Sequence, residues 1–318
     1  MKKHHVIGKY EIKNLADGGI IFSMKSDSGE VMQTCYNVFS GINVIYNDIR
    51  LKNSFACKPE KNGRFIEINY CQKGRLEHCA GDELFYISSG DISIHKPVSE
   101  MYEEKYPTGH YQGITIQLDL DRTPHCFSEI LEDITIQPEQ LAEKFRLNEQ
   151  RFYIMRQFPN IQHIFSGFYD IPDGIRKGYL KVKALELLLF LSTIKPEKIK
   201  PEQRSFTAAK EELARKISAY ICDNLSEQIT LLSLSERFSV SEYSIKTAFR
   251  DVYGMTAAEY IRTQRMNKAA VLLSTSDITV LEAAAQTGYE NGSKFAAVFR
   301  KTMGMTPCAY RRSHYRKK

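Results

Sequence analysis

Residues 229–262 read ITLLSLSERFSVSEYSIKTAFRDVYGMTAAEYIR, and residues 278–312 read ITVLEAAAQTGYENGSKFAAVFRKTMGMTPCAYRR. The second stretch is a variant of the first. Phe249-Arg250, Gly254-Met255-Thr256, Tyr260 and Arg262 return at an offset of 50 as Phe299-Arg300, Gly304-Met305-Thr306, Tyr310 and Arg312. The leading Ile229-Thr230 returns at an offset of 49 as Ile278-Thr279, so the second copy has one extra residue in its turn. Two such units make a duplicated module, because a solenoid needs three or more repeats to bury a continuous core.

Each copy predicts two short helices joined by a tight turn. In the first, Ile229 to Phe238 reads as a supporting helix and Ser239-Val240 as the turn. Ser241 is placed to cap a second helix over Glu242 to Tyr253, which Gly254 stops in the left-handed conformation. Ile245, Ala248, Phe249 and Val252 recur at helical spacing as the buried stripe, which turns Tyr243, Lys246, Thr247 and Arg250 to the opposite face. In the second copy the supporting helix spans Val280 to Thr287, the turn is Gly288-Tyr289-Glu290-Asn291-Gly292, and Ser293 starts the next helix. Phe295, Val298 and Phe299 form its core stripe, with Ser293, Ala296, Ala297 and Arg300 outward and Lys294 beside them. Ala257 to Leu273 reads as one helix between the copies. This is a pair of helix-turn-helix heads, the kind of unit that enters a DNA groove. The candidate DNA contacts are Tyr243, Lys246, Thr247, Arg250, Asn291, Ser293, Lys294 and Arg300.

Charge supports that reading. Residues 205–318 carry 17 Lys+Arg against 11 Asp+Glu, whereas residues 1–204 are balanced at 27 of each, so the whole net charge of +6 lies in the last third. A basic excess confined to the unit with two reading heads favours a polyanionic partner. At 318 residues the chain exceeds one core, which predicts two domains. The run Lys195 to Gln203, with Pro196 and Pro201, has the composition of an interdomain linker. The division is 1–194, a linker at 195–206, and 207–318.

From Ile20 to about Leu120 short alternating runs separated by turn residues predict a mostly antiparallel β structure, a sandwich or small barrel. After Pro138 the period changes to about 3.6, and helices are expected over Gln140–Phe152 and Ile175–Ile194. Leu180, Ala184, Leu187, Leu188 and Leu191 form a stripe on the second, which either covers the barrel or pairs with a second copy of the chain. On the strand Phe65 to Cys71, alternation separates Ile66, Ile68 and Tyr70 from Phe65, Glu67, Asn69 and Cys71, and the sequence does not say which set faces inward. Ile66, Ile68 and Tyr70, with His78, are the candidate effector-binding residues.

Other chemistries find less support. The pattern shows no GxSxG, GxxxxGK[ST] or HExxH. His78, His95, His110 and His125 form no HxH or HxxxE cluster, so no metal site, cofactor or enzymatic activity is expected. The seven cysteines include no CxxC pair and read as reduced thiols, although Cys71 and Cys79 beside His78 also fit a thiol sensor. No run approaches the roughly 20 apolar residues of a membrane span, and no apolar segment follows Met1-Lys2-Lys3, so a cytoplasmic protein is expected.

Gly288-Tyr289, Phe295, Phe299-Arg300-Lys301, Gly304-Met305-Thr306-Pro307 and Tyr310-Arg311, with Arg265, Ala269 and Leu272-Leu273 before them, stand at the spacing of the AraC/XylS family of bacterial transcription regulators. Residues 207–318 resemble that family's DNA-binding domain. By position, Tyr243, Lys246 and Thr247 match its first base-reading set and Ser293, Lys294 and Ala297 its second. Ala297 departs from the polar residue common there. The stretch from Gly288 to Ala296 is similar to siderophore-responsive members. Glu67 to Cys71 and Tyr86 to Asp91 resemble the sensor domains joined to such modules, which implies a cupin-like jelly-roll barrel over about 20–125 with dimerisation helices over about 138–194. The resemblance implies an α+β multidomain transcription regulator that binds double-stranded DNA as a homodimer, answers to a small-molecule effector such as a siderophore-like one and, if it is an activator, contacts RNA polymerase; the sequence leaves the effector and the choice between activation and repression open. An architectural DNA binder and a cupin-type metal enzyme fused to a DNA-binding module are the alternatives.

Overall fold

The computed structural model describes residues 9–26, 29–51, 55–57, 64–80, 83–97, 102–123, 137–148, 152–156, 158–169, 171–172, 174–196 and 208–314. His125, Cys126 and most of the expected linker lie outside them. The chain divides into two compact units, residues 1–203 and 204–318.

The described residues of the first unit include twelve strands: β1 Lys9–Asn14, β2 Ile20–Ser26, β3 Gly29–Phe39, β4 Ile42–Leu51, β5 Phe55–Cys57, β6 Phe65–Lys73, β7 Arg75–Ala80, β8 Glu83–Ser88, β9 Ile92–His95, β10 Tyr102–Lys105, β11 Tyr111–Asp119 and β12 Phe152–Met155. Eight form one sheet in the order β1-β2-β3-β4-β11-β6-β9-β12, and four form another in the order β5-β10-β7-β8. All pairings among the described residues are antiparallel, which the short turns of the β1–β4 and β7–β8 hairpins require of those pairs. Gly74, at φ +89, makes the β6–β7 turn, where a Cβ would run into the carbonyl of His110. Among the described residues no pairing joins the two sheets, so the expected barrel is an open pair of sheets.

Among the described residues of this unit three helices follow, α1 Gln140–Lys144, α2 Pro159–Ser166 and α3 Arg176–Thr193. The helix expected over Gln140–Phe152 ends early. Arg146 takes φ +51, and Phe152–Met155 pairs with β9 to extend the large sheet. The apolar spacing of Leu141 and Phe145 serves one short turn of helix, and sheet pairing overrides it beyond.

Alternation on the central strands makes a layered arrangement. Ile42, Val44, Ile66, Ile68, Tyr70, Ile114, Ile116 and Leu118 form one core with the helices, including Leu180, Ala184, Leu187, Leu188 and Leu191. Tyr70 stacks on Phe165 with centroids 4.5 Å apart, and the Tyr46 hydroxyl donates to the Phe168 carbonyl at 2.6 Å. All five residues of the α3 stripe are fully buried within one chain, each contributing about 1.5–3 kcal/mol where the side chain is large. The stripe therefore covers the sheet. On the other face, Met24, Val31, Ile49 and Leu51 pack against Leu76, Ile87 and Tyr106 of the small sheet and its flank.

The second unit is all helical: α4 Ala208–Asp223, α5 Leu231–Phe238, α6 Glu242–Tyr253, α7 Ala257–Thr275, α8 Val280–Gln286, α9 Gly292–Met303 and α10 Pro307–His314. It has two cores. One joins Ala214, Ile217 and Ile221 to Leu234, Ile245, Phe249, Tyr260 and Ile261, and the other joins Met266, Ala269 and Leu273 to Ala283, Phe295, Phe299 and Tyr310. No helix among the described residues is long and apolar enough to cross a membrane.

Candidate nucleic-acid interface

The first head begins at a capping box in which the Thr230 hydroxyl accepts the Ser233 N–H at 3.1 Å and the Ser233 hydroxyl accepts the Thr230 N–H at 3.0 Å. α5 stops at Ser239, which takes the left-handed conformation at φ +52. The Ser235 hydroxyl then donates to the Val240 carbonyl at 2.6 Å, bracing the turn. Ser241 caps α6 by accepting the Ser244 N–H, and Gly254 ends the helix at φ +69. Ile245, Ala248, Phe249 and Val252 are buried as expected. Phe249 meets Tyr260 edge-on at 5.3 Å, and Tyr260 stacks on Tyr253 at 4.9 Å. Burial in this cluster pushes the Tyr260 phenol well above its ordinary pKa.

That packing leaves the other face of α6 to solvent. Tyr243 is 76 % exposed, Lys246 and Arg250 are exposed, and Thr247 is half-buried. Lys246 holds the Glu242 carboxylate at 3.1 Å, one helical turn back. Thr247 donates its hydroxyl to the backbone carbonyls of Tyr243 and Ser244, so it presents its methyl group and oxygen lone pairs outward.

The second head opens on a capping box with a carboxylate. Glu282 accepts the Thr279 N–H at 2.5 Å, and the Thr279 hydroxyl accepts the Glu282 N–H at 3.1 Å. This backbone bond holds the Glu282 carboxyl below its usual pKa. Buried Thr287 donates to the carbonyls of Ala283 and Ala284, and Gly288 turns the chain at φ +74. α9 starts one residue before the position expected. Its cap is Asn291, whose side-chain oxygen accepts the Lys294 N–H at 2.9 Å. Asn291, Ser293, Lys294, Ala297 and Arg300 are exposed, whereas Ala296, expected outward, is half-buried. Tyr289, Phe295, Phe299 and Tyr310 make a chain of ring contacts behind them at 5.5 to 5.6 Å.

All eight predicted DNA-contacting residues thus lie on or at the start of the second helix of a head. α7 joins the heads, begun by a capping box of Thr256 and Glu259. At 19 residues it is roughly 28 Å long.

In the first unit, the face of β6 that looks between the sheets is the polar one. A cavity of about 40 Å³ there is lined by Asn47, Glu67, Asn69, Glu104, Thr115 and Gln117 among others. A line of hydrogen bonds crosses four strands, from Gln33 to Asn47 at 2.8 Å, Asn47 to Thr115 at 3.0 Å and Thr115 to Asn69 at 2.6 Å. His95 approaches Glu67 at 3.4 Å, His78 approaches Glu104 at 3.8 Å, and the two rings are 5.6 Å apart. Of the four candidate effector residues, His78 lies in this region. Ile66, Ile68 and Tyr70 pack beneath the helices, which gives the direction the sequence left open: the apolar helix stripe needed an apolar partner, and the opposite face of β6 was left to the layer between the sheets. Cys71 is buried in the apolar part of the layer between the sheets, where burial pushes its thiol well above the ordinary value. No group of three or more His, Cys, Asp and Glu among the described residues is arranged to hold a metal.

Two helix-turn-helix units on one joining helix, each presenting basic and hydroxyl-bearing side chains from its second helix, define a DNA-binding domain. The family and sequence comparisons agree. A family model described as a helix-turn-helix domain matches residues 234–313. An uncharacterized HTH-type transcriptional regulator, YfiF of Bacillus subtilis, is 23% identical over 265 residues, spanning 78% of this chain and 76% of that protein. The HTH-type transcriptional activator RhaR of Yersinia pseudotuberculosis is 25% identical over 268 residues, spanning 81% of this chain and 86% of that one. Among solved structures, the C-terminal domain of AraT, a response regulator from Geobacillus stearothermophilus, is 29% identical, with 33% of this chain and 88% of that one covered and a TM-score of 0.33. The C-terminal unit is an AraC-type helix-turn-helix domain, and the protein is a DNA-binding transcriptional regulator.

Proposed function

We propose that this regulator is sequence-specific and that one chain reads two successive major grooves, one with each head. The observation that carries the reading is the duplication of a complete head, each with its reading face outward from an apolar core. Lys246 and Tyr243 of α6 supply base contacts in this reading. Arg250, Lys294 and Arg300 supply phosphate contacts, and Ala297 can meet a thymine methyl group. Because RhaR is named an activator, activation, with contact to RNA polymerase, is the proposed regulatory sign. Selection of bound duplexes from a random pool tests the reading. Two enriched boxes about one helical turn apart, roughly 10 base pairs, are expected. Salt-sensitive binding with no enriched motif would mean an architectural binder instead.

The first unit is proposed as the effector sensor, with the polar layer between the sheets as the site. A space of about 40 Å³ admits one or two waters, so a metabolite enters only as side chains move aside, which makes binding a conformational event. Glu67 and Glu104, with His95 and His78 beside them, make this layer a set of hydrogen-bonding groups, which suits a polar ligand. The signal is proposed to pass through residues 195–204. An identical effector response from isolated 205–318 and from the full chain at a promoter would sink this route. Homodimerisation, if it uses α3, falls to faces other than its buried stripe.

A further inference from the structure

Arg265 stands on α7 between Ile261, in the first head's core, and Met266, in the second's. Among the described residues the two cores share no member, so packing inside each head leaves their mutual rotation to α7 and to whatever bridges across it. The Arg265 guanidinium is such a bridge. One terminal nitrogen donates to the carbonyl of Glu227, in the loop before the first head's supporting helix. The other donates to the carbonyl of Gly288, in the second head's turn, at 3.4 Å. The guanidinium carbon lies 5.7 Å from the centre of the Tyr289 ring.

The turn it holds is shaped for it. Gly288 sits at φ +74, and a Cβ there would come within 2.8 Å of both an Arg265 terminal nitrogen and the carbonyl oxygen of Leu225 in the first head. The corresponding turn residue of the first head is Ser239, also left-handed at φ +52, which carries a side chain. Beside the contact, a groove of about 710 Å³ separates the heads, with Ile229 and Leu231 on one side and Tyr289 and Lys294 on the other. With open space alongside, a short polar clamp resists bending and twisting of α7 at this point.

We propose that Arg265 is a positioning residue that sets the rotation and distance between the two recognition helices, and through them the spacing between DNA boxes that the chain accepts. This rests on the two-groove reading above. One inserted base pair shifts the second box by about 3.4 Å and turns it by roughly 35°. A rigid pair of heads cannot follow that change, and a hinged pair can.

The test uses the full chain, as wild type, Arg265→Met and Arg265→Lys. Each is titrated with a selected two-box duplex, the same duplex with one base pair inserted or removed between the boxes, and a single-box duplex. Wild type is expected to lose about tenfold or more in affinity on the altered spacing, and Arg265→Met only two- to threefold, with single-box affinity within about twofold of wild type. Arg265→Lys, whose one ammonium cannot span both carbonyls, is expected to behave as Arg265→Met. A full wild-type spacing penalty in Arg265→Met overturns the proposal. So does full recovery by Arg265→Lys, which would assign the effect to charge. If wild type shows no spacing preference, the two-groove reading fails, and the clamp is judged without DNA. Nitroxides on exposed Cys222 and Cys308, one in each head, then report the distance between heads in a chain whose other five cysteines are alanine. Broadening in Arg265→Met supports the clamp, and an unchanged distribution overturns it.

Discussion

From α6 of the first head, Tyr243, Lys246, Thr247 and Arg250 face outward. The second head presents Ser293, Lys294, Ala297 and Arg300 from α9, with Ala296 half-buried. Behind these surfaces the heads match: Phe249 and Phe299 are both fully buried, and Tyr260 and Tyr310 meet them edge-on at 5.3 and 5.5 Å. A duplicated core thus carries two different surfaces, and the turn differs as well, Ser239 in one head and Gly288 in the other. Core packing constrains the interior of each copy and leaves its reading face free to diverge, so equal folds do not require equal shares of the binding.

The largest expected effects probe the shared core. Phe249→Ala and Phe299→Ala should each cost about 3–5 kcal/mol. Because the cores are separate, amide exchange should rise mainly in the head that carries the change. Uniform loss across both heads would show that they fold as one unit. Next is the turn. Gly288→Ser, which copies the first head's residue, should destabilise by about 2–4 kcal/mol through left-handed strain and collision with Leu225 and Arg265. Gly304→Ser, with no atom within 4 Å of its Cβ position, should cost only about 1 kcal/mol in thermal unfolding.

The surfaces come third. Lys246→Ala should relax discrimination at one base pair by about 1–3 kcal/mol, measured by competition among single-substitution duplexes. Arg300→Ala should weaken all duplexes alike and reduce the salt slope by about 1. Equal loss of specificity from the two changes would erase the proposed division of labour. The smallest effect separates the caps. Glu282 has its carboxyl pKa lowered by the Thr279 N–H, so its contribution is present above the ordinary value of 4.5 and fades as pH falls through the lowered one. Ser233, its counterpart, does not titrate in this range. Amide exchange at Val280–Ala283 should therefore accelerate on acidification more than at Leu231–Leu234.

Much of the helical unit was legible before any coordinates. Ser241 and Gly254 mark the ends of α6 because their reasons are local: a hydroxyl for a free N–H and a backbone without Cβ for φ +69. The buried stripes follow from helical spacing in the same way. Asn291, a candidate DNA contact, also caps α9, which was expected to start at Ser293, since a turn holding both Asn291 and Ser293 offers two candidate caps. In the first unit, alternation divided β6 correctly into two faces, but which face met the helices depended on residues about a hundred positions away, such as Phe165 and Leu187. Strand β12 escaped notice for the same reason, being a strand only because β9 lies beside it.

By itself, then, the sequence determined what depends on neighbours along the chain: the two heads, the caps of α6, the core stripes and most of the exposed residues of each second helix. Tertiary structure alone decided what depends on distant partners. It turned the polar face of β6 toward the interior, brought His78 and His95 beside Glu104 and Glu67, buried the α3 stripe against the sheet, and laid one arginine across the backbones of both heads. The physical reason is range. Helical period, capping and left-handed turns act within a few residues, whereas the direction of a sheet face and the bridging of two cores are settled when remote apolar surfaces find each other.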